Sequence, residues 1–215
     1  ARIAQLVEHT TDTGGVLGSN PSTRTVTHKT KKGLGLFFKQ GLKKFKTHGA
    51  LFPSSKFLGE RILKHIDMNE GICIVELGAG TGVFTKQILE KLPKSGKLII
   101  FEIDPHLIEF LRSIINDPRA IIIKGDARDI KAYLPEVPDH IDYVVSGLPL
   151  GNFNKKDRHA IFQSIRNVLG IKGIFLQFQY LMASYLHLRK FFNIKIVGYE
   201  YRNLPPAFIY KCTNK

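Results

Sequence analysis

The stretch ICIVELGAGTG at residues 72–82 decides the architecture. A short apolar run ends in Glu76 and Leu77, glycines follow at 78, 80 and 82, and a helical period begins at Val83 in VFTKQILEKL. An apolar run of this length bounded by glycine reads as a strand buried on both faces. A strand, a Gly-rich turn and a helix in that order open a βαβ unit. Upstream, KFLGERILKHI (56–66) reads as a helix. Downstream, KLIIFEI (97–103) is a strand, and DPHLIEFLRSII (104–115) is a helix with Asp104 at its N-cap and Pro105 at its first position. RAIIIKG (119–125) and IDYVVSG (141–147) are strands, and DRHAIFQSIRNVL (157–169) is a helix. GIFLQFQY (173–180), FFNIKIVGYEY (191–201) and PAFIYKC (206–212) supply three further strands. This alternation predicts an α/β, doubly wound, Rossmann-like fold: a mostly parallel seven-stranded sheet with helices on both faces.

Composition bounds the rest. At 215 residues and 43% hydrophobic, the chain builds one sizeable core. Its two cysteines, Cys73 and Cys212, sit in apolar strands, which excludes a disulfide framework and a four-cysteine zinc site. No apolar run reaches the roughly 18 residues of a membrane span. The net charge of +14 points to a polyanionic partner. Residues 1–48 hold nine Lys or Arg and two acids, so under a quarter of the chain carries half of that excess.

Residues 1–25 have no sustained apolar period and read as a tail outside the fold. The words IAQLVEH (3–9) and GSNP (18–21) resemble a chance translation of a transfer-RNA gene, which places the expected natural start near Val26. Residues 26–48 form a basic amphipathic segment. Leu34, Phe37, Phe38, Leu42 and Phe45 share one helical arc, opposite Lys39, Lys43, Lys44 and Lys46. Such a helix packs its stripe on the domain or lies in a membrane interface, and Gly33, Gly35 and Gly41 favour the second because they weaken helicity until a surface orders it. A nucleic-acid arm would not need three phenylalanines. Residues 49–215 are the globular domain.

The turn also selects a ligand class. A dinucleotide fingerprint needs glycine at 83, where Val83 stands. Glu76 beside the turn repels a pyrophosphate and attracts a cation, such as the sulfonium and ammonium of S-adenosylmethionine. An acidic residue followed by G-x-G-x-G resembles the first motif of class I S-adenosylmethionine-dependent methyltransferases, and the resemblance extends along the chain. It implies that Glu76, Gly78, Ala79, Gly80 and Gly82 form the cofactor turn, and that Glu102 holds the ribose hydroxyls with Ile103 beside it. It also implies that Asp126 and Ala127 meet the adenine, and that Ser146 and Gly147 at the end of the fourth strand face the transferred methyl group.

The acceptor is read from the segment SGLPL (146–150). The ribosomal-RNA adenine dimethyltransferases, which the chain also resembles, end this strand with Asn or Asp, then x-Pro and an aromatic that stacks on the flipped base. Here the anchor is altered and the aromatic is absent; Phe153, three residues on, substitutes only with a different loop geometry. THGALFPSSKFLGERI (47–62), VSGLPLGNF (145–153), LQFQY (176–180) and RNLPPAFIY (202–210) instead resemble the bacterial soluble phospholipid N-methyltransferases. This likeness implies methylation of phosphatidylethanolamine towards phosphatidylcholine. The acceptor chemistry then points to Tyr180 as the catalytic and substrate-binding group, its hydroxyl orienting the amine lone pair and its ring holding the methylated cation, with Leu148 as a further substrate contact and Arg202 on the lipid phosphate. The expected partner is an anionic membrane surface with its phospholipid. The expected location is the cytoplasm, peripheral on the inner face of the cytoplasmic membrane. Methylation of rRNA adenine is the alternative, and no metal site is expected.

Overall fold

The computed structural model describes residues 54–136, 141–180, 185–203 and 206–215. The expected tail and amphipathic segment, residues 1–48, lie outside them, as do Leu204 and Pro205 of the LPPA word. Helix α1 (Ser54–Leu63) leads into β1 (Cys73–Leu77), α2 (Val83–Lys91), β2 (Lys97–Glu102), α3 (Pro105–Ile114) and β3 (Ala120–Lys124). A 3-10 segment (Ala127–Glu136) precedes β4 (Ile141–Ser146), and a 3-10 turn (Leu150–Asn152) precedes α4 (Lys155–Val168). The chain continues through β5 (Leu169–Gln179), α5 (Tyr185–Phe191), β6 (Phe192–Glu200) and β7 (Ala207–Asn214).

The seven strands form one sheet in the order β3-β2-β1-β4-β5-β7-β6. Strands β1 to β5 pair in parallel, and β7 runs antiparallel to both β5 and β6, so six strands share one direction and β7 alone opposes them. Burial alternates as a pleated strand requires. Cys73, Val75 and Leu77 enter the core on one face, with Phe162 and Phe175, while Ile74 enters the other, with Ile62 and Ile88. All five residues of β1 are buried. Helices cover both faces through apolar residues three and four apart, Leu107, Ile108 and Leu111 on α3 and Ile161, Ile165 and Val168 on α4. Asp104 caps α3 as its sequence predicts, its Oδ1 accepting the amides of His106 at 2.8 Å and Leu107 at 3.3 Å.

Two elements depart from expectation. Strand β5 begins at Leu169, four residues before the predicted start, because the helix ends there and its neighbour β4 offers a paired edge at Ile141. The short helix α5 was not predicted. It has too few turns to show a period, and it forms because Leu188 is buried on the core beside Phe192.

Strand order reverses between β1 and β4, and at such a switch point a crevice opens at the carboxyl ends of the strands. Register brings the ends level: Leu77 opposes both Phe101 and Ser146, and Ser146 opposes Gln177. Gly78, Glu102, Gly147 and Phe178 therefore follow one another along a single rim.

Candidate cofactor and acceptor site

A cleft lies on this rim. Among the residues expected at the cofactor or acceptor, Gly78, Glu102, Ile103, Asp126, Ala127 and Leu148 line it, joined by Phe101, Gly125, Phe153 and Ile161. The sequence raises Phe153 only as a conditional replacement for the missing aromatic, and it does not single out Ile161. The 3-10 turn at Leu150–Asn152 carries Phe153 to the wall of this cleft.

The glycines have separate tasks. Gly78, Gly80 and Gly82 all adopt positive φ, of 76°, 58° and 74°. A Cβ on Gly78 would sit 2.8 Å from the Leu148 side chain and one on Gly82 2.8 Å from Leu111, so both permit close packing. At Gly80 a Cβ would meet nothing within 4 Å. That side of the turn leaves the backbone open to a ligand.

Glu102 is buried at the end of β2, and its carboxylate organises the turn. Oε2 accepts the Gly80 amide at 3.0 Å, while Oε1 accepts the amides of Ile103 at 2.8 Å and Asp104 at 3.1 Å. A carboxylate offers about four lone-pair positions, so Oε2 keeps one for a ribose hydroxyl. Asp126 is more committed: both of its oxygens bind the Arg128 guanidinium, and Arg128 bridges onward to Asp157 at 2.7 Å.

Glu76 differs from its sequence picture. It is 2% exposed and faces α2, where Oε2 accepts the Thr85 hydroxyl at 2.7 Å. Burial pushes its carboxyl up to about 7, against the Thr85 hydrogen bond, and the charge of Glu102 adds to the rise. Ala79 packs against the core on the same side of the sheet.

The acceptor loop follows β4. Ser146 is fully buried and turned from the cleft, its Oγ accepting the Leu148 amide at 3.1 Å. A Cβ on Gly147 would press on the Phe178 ring at 3.2 Å. The Leu148 carbonyl accepts two buried amides, Gln177 Nε2 at 3.2 Å and Gln179 Nε2 at 3.1 Å, which fills both of its lone pairs. These two glutamines were missed in sequence, although the period-2 word QFQ on a central strand was the available signal. Leu150 is fully buried. Tyr180 stands at the end of β5, 46% exposed, its ring edge-on to Phe178 at 6.2 Å. Arg202 does not reach the cleft lining. It forks onto buried Glu200 at 2.8 and 3.0 Å and lies 4.0 Å over the Phe57 ring. Arg202 and Arg61 together hold the Glu200 carboxyl down to about 2, Arg202 being the larger influence. The phosphate contact expected of Arg202 thus competes with an existing pair.

Residues 41–188 match the ribosomal RNA adenine dimethylase family. The chain belongs to that family. It is 35% identical over 182 residues to an ornithine lipid N-methyltransferase of Singulisphaera acidiphila, spanning 83% of this chain and 93% of the relative. It is 32% identical over 114 residues to a probable ribosomal RNA small subunit methyltransferase A of Thermococcus gammatolerans, spanning 53% of this chain and 38% of the relative. Among solved structures the fold is similar to a SAM dependent methyltransferase from Aquifex aeolicus (TM-score 0.58, 13% identity, 79% of this chain and 96% of that one). It is also similar to the mitomycin 7-O-methyltransferase MmcR (TM-score 0.60, 15% identity, 84% and 60%). This dimethylase-family chain is an S-adenosylmethionine-dependent methyltransferase. Its cleft fits that cofactor through the open side of Gly80, the spare Oε2 position on Glu102 and the apolar walls of Phe153 and Ile161.

Proposed function

We propose that this methyltransferase transfers a methyl group to the amine of a membrane lipid, with phosphatidylethanolamine the expected headgroup and an ornithine lipid the one its relative names. The carrying observation is the acceptor loop. Counted back from Pro149, the anchor position is Gly147, which has no side chain, and the position of the stacking aromatic is Leu150, buried in the core. Ser146, next to the anchor, spends its hydroxyl on the loop itself. At those two positions a flipped base would find neither an anchor nor a stacking ring, and Phe153, the ring this loop does bring forward, lines the cofactor cleft.

A lipid amine makes smaller demands. S-adenosylmethionine supplies an activated methyl group on a cationic sulfur. The ammonium, with a lysine-like pKa, must lose its proton first, at a cost of roughly 4 kcal/mol at pH 7. The two hydrogen bonds to the Leu148 carbonyl hold the loop in one geometry, which would let the amine lone pair approach the sulfonium methyl in line as S-adenosylhomocysteine leaves. Tyr180, on the same rim, orients the amine through its hydroxyl and receives the increasingly methylated cation on its ring. The enzyme's partner in this reading is an anionic membrane surface, which the Lys-rich segment 26–48 engages at about 1 kcal/mol per basic residue. Among the described residues no helix is long and apolar enough to cross a membrane.

The test is transfer of radiolabelled methyl from S-adenosylmethionine to liposomes of phosphatidylethanolamine, to liposomes of ornithine lipid, and to rRNA. Label in an aminolipid is the expected result, with a rate that rises with pH as the ammonium deprotonates. Label in rRNA adenine with none in either lipid overturns the proposal.

A further inference from the structure

Arg158 is the one buried Lys or Arg among the described residues, at 9% exposure. Other arginines that are more exposed have carboxylates: Arg61 and Arg202 share Glu200, Arg119 pairs with Asp117, and Arg128 joins Asp126 to Asp157. Arg158 pairs with no Asp or Glu among the described residues. Its Nη1 donates to the Leu150 carbonyl at 3.1 Å, and its Nη2 lies 3.4 Å from His187 Nε2 on α5.

A guanidinium only donates, so His187 accepts through a bare Nε2 and carries its proton on Nδ1. Among the described residues, neither that Nδ1 nor the Arg158 Nε, both buried, has a hydrogen-bond partner. Two side chains in contact thus hold two unused donors, one of them on a permanent cation. Burial of such a group is favourable only when an opposite charge joins it, and a planar guanidinium is suited to carboxylate and phosphate oxygens.

The location connects this pair to the reaction. Leu150, whose carbonyl Arg158 grips, closes the acceptor loop that starts at Gly147. Ile161, one turn along α4 from Arg158, and Phe153, just before α4, line the cofactor cleft. We propose that Arg158 and His187 form a subsite for the anionic group of the lipid headgroup, a phosphodiester or a carboxylate, while the amine lies at the loop. The inference rests on the lipid-amine reading. In both headgroups a short methylene chain separates amine from anion, so one molecule spans the two places.

Calorimetry on the full chain with S-adenosylhomocysteine bound tests the subsite, with monomeric dihexanoyl phosphatidic acid as the phosphate probe and Nα-acetylornithine as the carboxylate probe. The wild type binds at least one, and the preferred probe identifies the headgroup class. Arg158→Gln weakens that binding tenfold or more with S-adenosylhomocysteine affinity unchanged, while Lys172→Gln, on the exposed start of β5, leaves both unchanged. His187→Ala weakens probe binding at least threefold and serves if Arg158→Gln does not fold. Failure of the wild type to bind either probe, or equal probe affinity in folded Arg158→Gln and His187→Ala proteins, overturns the subsite. Lipid methylation with an unchanged KM in Arg158→Gln removes the subsite and leaves the lipid reading standing. Arg158-dependent probe binding in an enzyme that labels rRNA alone removes the lipid reading instead.

Discussion

Replacing Glu76 with glutamine tests the electrostatics beneath the cofactor turn. The carboxyl is 2% exposed, and burial raises its pKa from the model-peptide value of 4.5 to about 7, opposed by the Thr85 hydrogen bond and assisted by the Glu102 charge. Below pH 4.5 the group is protonated in folded and unfolded chains alike and contributes nothing to the pH dependence. Between about 4.5 and 7 the folded chain keeps a proton that the unfolded chain has lost, so stability falls as pH rises. Above 7 both states are ionised, and the full penalty for the buried charge, about 3 kcal/mol, is present. Glutamine has nearly the same shape and its carbonyl still accepts the Thr85 hydroxyl, so the variant avoids that penalty. Urea unfolding followed by far-ultraviolet circular dichroism, a signal suited to a chain without Trp, should give similar stabilities near pH 4.5. At pH 8 the variant should be more stable by about 3 kcal/mol. A stability difference that does not grow with pH, or a variant less stable at pH 8, refutes the assignment of a destabilising buried charge.

Three further outcomes follow from the cleft. Glu102→Ala removes the acceptor of three backbone amides and the ribose contact, and isothermal titration should show S-adenosylmethionine affinity lower by about 2 kcal/mol or more; unchanged affinity in a folded protein would exclude Glu102 from the ribose. Gly78→Ala places a Cβ at φ 76° and 2.8 Å from Leu148, so thermal unfolding should report a loss of about 1–3 kcal/mol, and a neutral effect would mean the turn relaxes freely. Tyr180→Phe should lower kcat, and Tyr180→Ala should in addition slow the later methylations; equal kinetics in all three proteins would remove Tyr180 from the amine site.

Much of this enzyme is legible in its linear text, for a physical reason. Strand and helix periods, the glycines at 78, 80 and 82 and the Asp104 cap are local matters, governed by backbone sterics and by amides two or three residues away. Because parallel strands end at one rim, placing Gly78, Glu102, Asp126 and Leu148 at strand ends also placed them together, and all four line the cleft. What tertiary structure alone decided is which polar groups meet across the chain. Arg61 finds Glu200 139 residues away, Arg128 finds Asp157, two glutamines of β5 converge on the Leu148 carbonyl, and Glu76 turns to Thr85 beneath the turn. Arg202 and Arg158 have the same side chain, yet one is neutralised by Glu200 and the other is buried with no carboxylate beside it among the described residues. Period and composition do not distinguish them, because a charge acquires its partner and its dielectric surroundings only when distant segments are packed against it.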